Sequence, residues 1–184
     1  DAPDDLTEAS RFLGDGVAVL GPRDLAMDEA EFIKMASIYD VTELCTALKP
    51  WLLETLLLDH EVAIYLDPDI EVYDALDSAA IAALEHSIAL TPHVLEPIPR
   101  DGLEPTDVQV MSAGTFNLGF IGISRSADGL LRFWKERLRR DAISAQDQNL
   151  FTDQRWIDNV PALFHHTVLR DETLNVAYWN VFQR

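Results

Sequence analysis

The residues of this chain best suited to chemistry stand in the segment Ile64-Tyr65-Leu66-Asp67-Pro68-Asp69. Residues 62–66 form an uninterrupted apolar run, the pattern of a strand buried on both faces, and it delivers two carboxylates at its C-terminal end. Open α/β sheets bind ligands just beyond the carboxyl ends of their strands. Residues two apart in extended chain point to the same side, with α-carbons roughly 6–7 Å apart. Asp67 and Asp69 can therefore share one ion, or one can take the ion and the other a ribose. Pro68 fixes the backbone between them and limits the entropy lost on binding. Hard oxygen ligands suit Mg2+ or Mn2+, which would complete their shells with water and ligand phosphates. The same residues also suit a plain solvated turn, since Asp and Pro are turn formers.

Other polar residues invite weaker readings. Asn117 lies inside a strand-like run, where a buried amide needs partners, structural or otherwise. His93, in Thr91-Pro92-His93, follows another strand and is a site candidate. His165 and His166 are adjacent, so in a strand they point to opposite faces. Trp134, Trp156 and Trp179 read as core rather than as sugar platforms.

The composition narrows the ligand class. With 14 basic against 32 acidic residues, the formal net charge is −18. That argues against nucleic acid, which needs a concentrated basic face, and against anionic membrane surfaces. A diphosphate approaching such a protein needs local positive charge, which a bound divalent metal would supply. Cys45 is the only cysteine. It excludes an intramolecular disulfide and a cysteine-based zinc cluster, and it fits a reducing, cytoplasmic compartment. The longest apolar stretch is interrupted by Glu54, Asp59, His60 and Glu61, so no transmembrane segment is expected.

The elements that must position these groups alternate. Residues 17–20 read as a short buried strand closed by Gly21-Pro22. Residues 28–39 are amphipathic and helical. Asp40 and Glu43 have capping-box spacing before a helix carrying Leu44, Leu48, Leu52 and Leu56, which Pro50 bends or divides. After the acidic turn, Asp77 and Ser78 can cap an alanine-rich helix to Glu85, and residues 87–91 read as a strand. Pro92, Pro97, Pro99 and Pro105 mark a long irregular segment. Residues 115–123 are strand-like, and Ser126 would cap a helix to about Arg140. Residues 148–163 look helical, and Val168 and residues 176–179 suggest final strands. Alternating strands and helices predict an α/β domain with a mainly parallel sheet flanked by helices, one domain over residues 1–184.

With this order in place, the chain resembles bacterial glycosyltransferases of the GT-A fold, broadly the glycogenin-like and lipopolysaccharide galactosyltransferase-like group. Tyr39-Asp40-Val41-Thr42-Glu43-Leu44 and Ala47-Leu48-Lys49-Pro50 are similar to the helix before the metal strand. Tyr65-Leu66-Asp67-Pro68-Asp69-Ile70 resembles a "YLDxDI" signature and Phe116-Asn117-Leu118-Gly119-Phe120 an "FNxG" strand. Asp153-Gln154 resembles a "DQ" pair, and Asn175-Val176-Ala177-Tyr178-Trp179-Asn180 a "YNVxYWN" segment. Together they cover residues 39–180. A second family, the haloacid-dehalogenase-like phosphatases, also places Asp-x-Asp after a strand, with the first Asp as nucleophile. Here Glu71 occupies the position of its Thr or Val.

The glycosyltransferase resemblance implies a Rossmann-type sheet and transfer of a sugar from a UDP- or GDP-sugar to an acceptor hydroxyl, the acceptor being open. It implies that Asp67 and Asp69 bind Mn2+ or Mg2+, the diphosphate and the ribose. Asn117 and the backbone of Gly119 would face the donor sugar. Lys49 would lie near the donor phosphates, with a solvated helix residue as its alternative. Asp153 and Gln154 would lie near the reacting sugar or acceptor, although Asp153 could instead cap a helix beginning at Gln154. The chain before the metal strand is short for the family's nucleobase-cradling strand and loop, and nothing after Trp179 matches the family's metal-binding histidine. The expectation is thus a domain lacking its first strand, a fragment of a longer glycosyltransferase; the alternative is a non-catalytic module or inactive fragment with a structural or homo-oligomeric role.

Overall fold

A computed structural model describes residues 16–184. It is a mixed α/β arrangement built on a four-stranded sheet of order β1-β3-β2-β6. The strands are β1 (Val62–Leu66), β2 (Ile88–Pro92), β3 (Phe116–Ser124) and β6 (Thr167–Val168); β4 (Ser144–Ala145) and β5 (Leu150–Phe151) form a separate short ribbon. The helices that concern the site are α1 (Glu29–Ala36), α2 (Val41–Ala47), α3 (Lys49–Leu57), α4 (Asp77–His86), α5 (Asp107–Ala113), α6 (Asp128–Leu138), α7 (Gln154–Ile157) and α8 (Val160–Leu163).

The sheet is not mainly parallel, contrary to the sequence expectation. β3 pairs antiparallel with both β1 and β2, and only β2 with β6 is parallel. The alternation of strand and helix did carry information: β1, β2 and β6 all run the same way. What it could not show is that the nine-residue β3 runs back between β1 and β2. β1 is accordingly an edge strand of this sheet, with only Ala63 buried, rather than a strand buried on both faces. Its apolar residues pack against α3 and α4 instead.

Helix punctuation follows the sequence closely around the site. Asp40 and Glu43 form the reciprocal capping box at the start of α2, with Glu43 N–H donating to Asp40 Oδ1 at 2.8 Å. The helical stretch divides at Leu48, and Pro50 lies in the first turn of α3, where its missing N–H is harmless. Trp51, Leu53 and Leu57 of α3 meet Leu130, Trp134 and Leu138 of α6 in the main core with Ile121 and Ile123 of β3.

Several local expectations fail for identifiable reasons. Residues 17–20 form no strand, and Val17 and Leu20 are exposed; Leu25 and Met27 pack on the core instead. Ser126 caps nothing: its hydroxyl bonds Ser87 and Ser124 while α6 starts at Asp128. Asp77 opens α4 but makes no side-chain cap. Residues 148–163 break into β5, α7 and α8 because Asn149 and Thr152 adopt positive φ, which no helix tolerates. Residues 176–179 turn rather than extend, since Asn180 Oδ1 accepts from Ala177 N–H at 2.9 Å.

Candidate functional site

The C-terminal ends of β1 and β2 and the N-terminal half of β3 lie at one edge of the sheet, and the acidic turn extends β1 there. Asp67 N–H continues the ladder to the Gly119 carbonyl at 2.9 Å. The chain then turns, with Ile70 N–H donating to the Asp67 carbonyl at 3.1 Å. The two carboxylates are thus presented by a turn, not by extended chain. Asp67 is half-buried and Asp69 is exposed. Asp69 makes no hydrogen bond or ion pair with any described residue, and the same holds for Asp67 Oδ2.

Lys49 is the centre of the arrangement. It stands at the first position of α3, where the helix dipole disfavours a cation, yet it is 3% exposed. Its ammonium lies 3.3 Å from Asp67 Oδ1 and 3.1 Å from Asp153 Oδ2, and donates to the Leu118 carbonyl at 3.0 Å. The Leu118 carbonyl accepts its hydrogen bond, while the two carboxylates face it as ion pairs, and Asp153 Oδ2 takes no hydrogen bond from any described residue. It also sits 4.5 Å above the Tyr65 ring. The solvated alternative for Lys49 is excluded by this burial. So is an ammonium held open for phosphate: its charge is already met by two carboxylates of the protein.

Asp153 precedes α7 as expected but does not cap it. Its carboxylate turns inward to Lys49, with Thr152 Oγ1 donating to Oδ1 at 3.2 Å. Burial pushes the Asp153 carboxyl above the ordinary range, and the neighbouring Lys49 charge opposes it. With 1% exposure it reaches no acceptor hydroxyl in this conformation. Gln154 is likewise a clamp: Leu118 N–H donates to its Oε1 at 2.9 Å, and its Nε2 donates to the Ala113 carbonyl at 2.8 Å.

Asn117 is half-buried on β3. Its Oδ1 accepts from Gly119 N–H at 2.8 Å and its Nδ2 donates to Asn175 Oδ1 at 2.8 Å, leaving one N–H of the amide unengaged among the described residues. A β-carbon on Gly119 would stand 3.0 Å from Asn117 Oδ1, 3.2 Å from Ile70 Cδ1 and 3.4 Å from Asp67 Oδ2. The close approach at Gly119 is thus to the site's own side chains. Asn175 continues the network to the Pro92 carbonyl, and Asn180 to the carbonyls of His93 and Asn175.

Six residues selected from the sequence therefore meet: Lys49, Asp67, Asn117, Gly119, Asp153 and Gln154. Asp69 stands beside them on the surface. His93 belongs to the adjoining C-terminal network; its ring lies 6.3 Å from that of Trp179, and burial holds it below the ordinary histidine range. His165 lies by His86 and His166 bonds the Phe164 carbonyl, away from the acidic turn. Trp134 is core, and its indole N–H holds the Asp153 carbonyl at 3.1 Å. Sequence reading assigned no role to Tyr65, Asn175 or Asn180. For Tyr65 the signal was there: it lies two residues before Asp67 on the same strand, so both side chains share a face.

Among the described residues no group of three or more His, Cys, Asp or Glu side chains is arranged to hold a metal. Asp67 and Asp69 offer hard oxygen donors, the chemical type that a Mg2+-like cation takes from one or two carboxylates together with water and substrate phosphates. No protein-family model, curated protein or solved structure matches this chain.

Proposed function

We propose that this chain carries the donor site of a metal-dependent glycosyltransferase, which moves a sugar from a nucleoside diphosphate to an acceptor hydroxyl. The observation that carries the reading is the convergence of Asp67 and Asp153 on the buried Lys49 ammonium, at the end of the sheet where β1 and β2 terminate. Beside it stand Asp69 and Asp67 Oδ2, neither with a hydrogen-bond or ion-pair partner among the described residues. A cation held there would neutralise charge on the departing diphosphate. Asp67 and Asp69 orient the donor's diphosphate, and the unengaged Asn117 N–H reaches toward its sugar. Asp153 acts through Lys49, fixing the ammonium that fixes Asp67. The buried position of Asp153 supports this role over that of a base on the acceptor. The phosphatase reading draws no such support, because Glu71 stands where that family has Thr or Val.

The test is Asp69→Ala. Asp69 is exposed and has no partner among the described residues, so the fold should survive, while manganese-dependent binding of UDP or GDP is lost. Unchanged titration of manganese and nucleotide by the variant would sink the assignment. A second reading, a non-catalytic module of the same fold, draws on the neutralisation of Lys49 by its own carboxylates; it expects no nucleotide binding by either protein.

A further inference from the structure

Two features of Asp67 set its oxygens apart. Oδ1 accepts from the Tyr65 hydroxyl at 2.8 Å and faces Lys49 Nζ at 3.3 Å. Oδ2 takes no hydrogen bond from a described residue and lies over Gly119, 3.4 Å from where a β-carbon would stand. A carboxylate on an exposed turn would rotate freely and offer either oxygen, or both. A hydrogen bond and an ion pair on one oxygen remove that freedom.

We infer that Tyr65 is a positioning residue for the cation site: its hydroxyl, together with Lys49, ties Asp67 Oδ1 inward so that Oδ2 alone is presented to a divalent cation. The inference rests on the functional reading above and specifies how the site is built. Tyr65 suits the task because its ring is wedged between the core and the Lys49 ammonium, 4.5 Å from the ring centroid. Hydrogen-bond partners of metal-binding carboxylates typically change metal affinity by 10–100-fold.

The experiment uses the whole chain and Mn2+ alone as probe, with free Mn2+ followed by its paramagnetic resonance signal. Tyr65→Phe keeps the ring and removes only the hydroxyl. It is expected to weaken Mn2+ binding by about 10-fold at unchanged stoichiometry, while the metal-free melting midpoint stays close to that of the wild type. Tyr73→Phe removes a hydroxyl that bonds Glu71 at the exposed surface and is expected to leave the affinity unchanged. In an Asp67→Ala background, Tyr65→Phe is expected to have no further effect. Equal affinities of wild type and Tyr65→Phe would overturn the inference, as would an equal loss in the Asp67→Ala background, since Tyr65 would then act by another route. Absence of Mn2+ binding by the wild type would overturn the functional reading and this inference with it.

Discussion

Replacing Lys49 by methionine removes the positive charge that faces both Asp67 and Asp153, while keeping an unbranched apolar stem. The two groups of the inner pair are 3% and 2% exposed and 3.1 Å apart. At an effective dielectric constant of about 20 their attraction is ~5 kcal/mol. Desolvation of both ions offsets most of that gain, so the pair adds little net stability. Removing one partner is a different matter: a buried carboxylate left alone costs about 3–5 kcal/mol. Asp67, with a side chain 35% exposed, is screened by water and adds little to the loss. The deficit should depend on pH in a defined direction. Asp153 already lies above its ordinary 3.8 through burial, with Lys49 opposing, so the substitution raises it further. A folded value above the unfolded one means that the penalty is absent below 3.8 and grows as pH rises through the folded value. Lys49→Met should thus be most destabilised near neutral pH and recover on acidification, and Lys49→Met/Asp153→Asn should regain most of the loss. Urea unfolding followed by the fluorescence of the buried Trp51 and Trp134 reads this directly. A single variant within about 0.5 kcal/mol of the wild type, or a double variant no better than the single one, would refute the account of the triad.

Two further predictions bear on the same edge of the sheet. Gly119→Ala places a methyl group against Asn117, Ile70 and Asp67, and should cost about 1–3 kcal/mol in urea unfolding while weakening manganese binding through displacement of Asp67; a variant as stable and as tight as the wild type would show the contact to be slack. His93 is held below its ordinary 6.5 by burial, so the unfolded chain binds the proton first: its contribution is full above 6.5 and is lost as pH falls through the folded value. Wild type should therefore lose stability below about pH 6.5 more steeply than His93→Leu, and parallel urea midpoints over that range would contradict the assignment.

What was legible in the sequence was whatever local chemistry decides. The capping box at Asp40 and Glu43, the division at Pro50 and the strand ending at Leu66, just before Asp67, all stand where residue type alone places them. The ion pair of Lys49 and Asp153, 104 residues apart along the chain, was not legible: the resemblance implied one near the donor phosphates and the other near the reacting sugar or acceptor. The direction of β3 was not legible, because an apolar run reads the same whichever way it is paired. The broken segment at 148–163 was misread because the positive φ of Asn149 and Thr152 answers to tertiary packing, not to helix propensity. Residues 176–179 carry strand-forming side chains, but Asn175 and Asn180 offer the backbone local bonds that a strand cannot. The inward turn of Asp153 was hidden for a related reason. An Asp before a helix suits a cap, and only the buried Lys49 opposite gives its carboxylate a stronger partner.

The most direct measurement is calorimetric titration of UDP and GDP into the chain, with and without manganese. The account predicts binding of one nucleotide that appears with the metal and disappears with chelator. Nucleotide binding of equal strength without metal, or no binding by either nucleotide in its presence, would contradict the claim that Asp67 and Asp69 form a donor site.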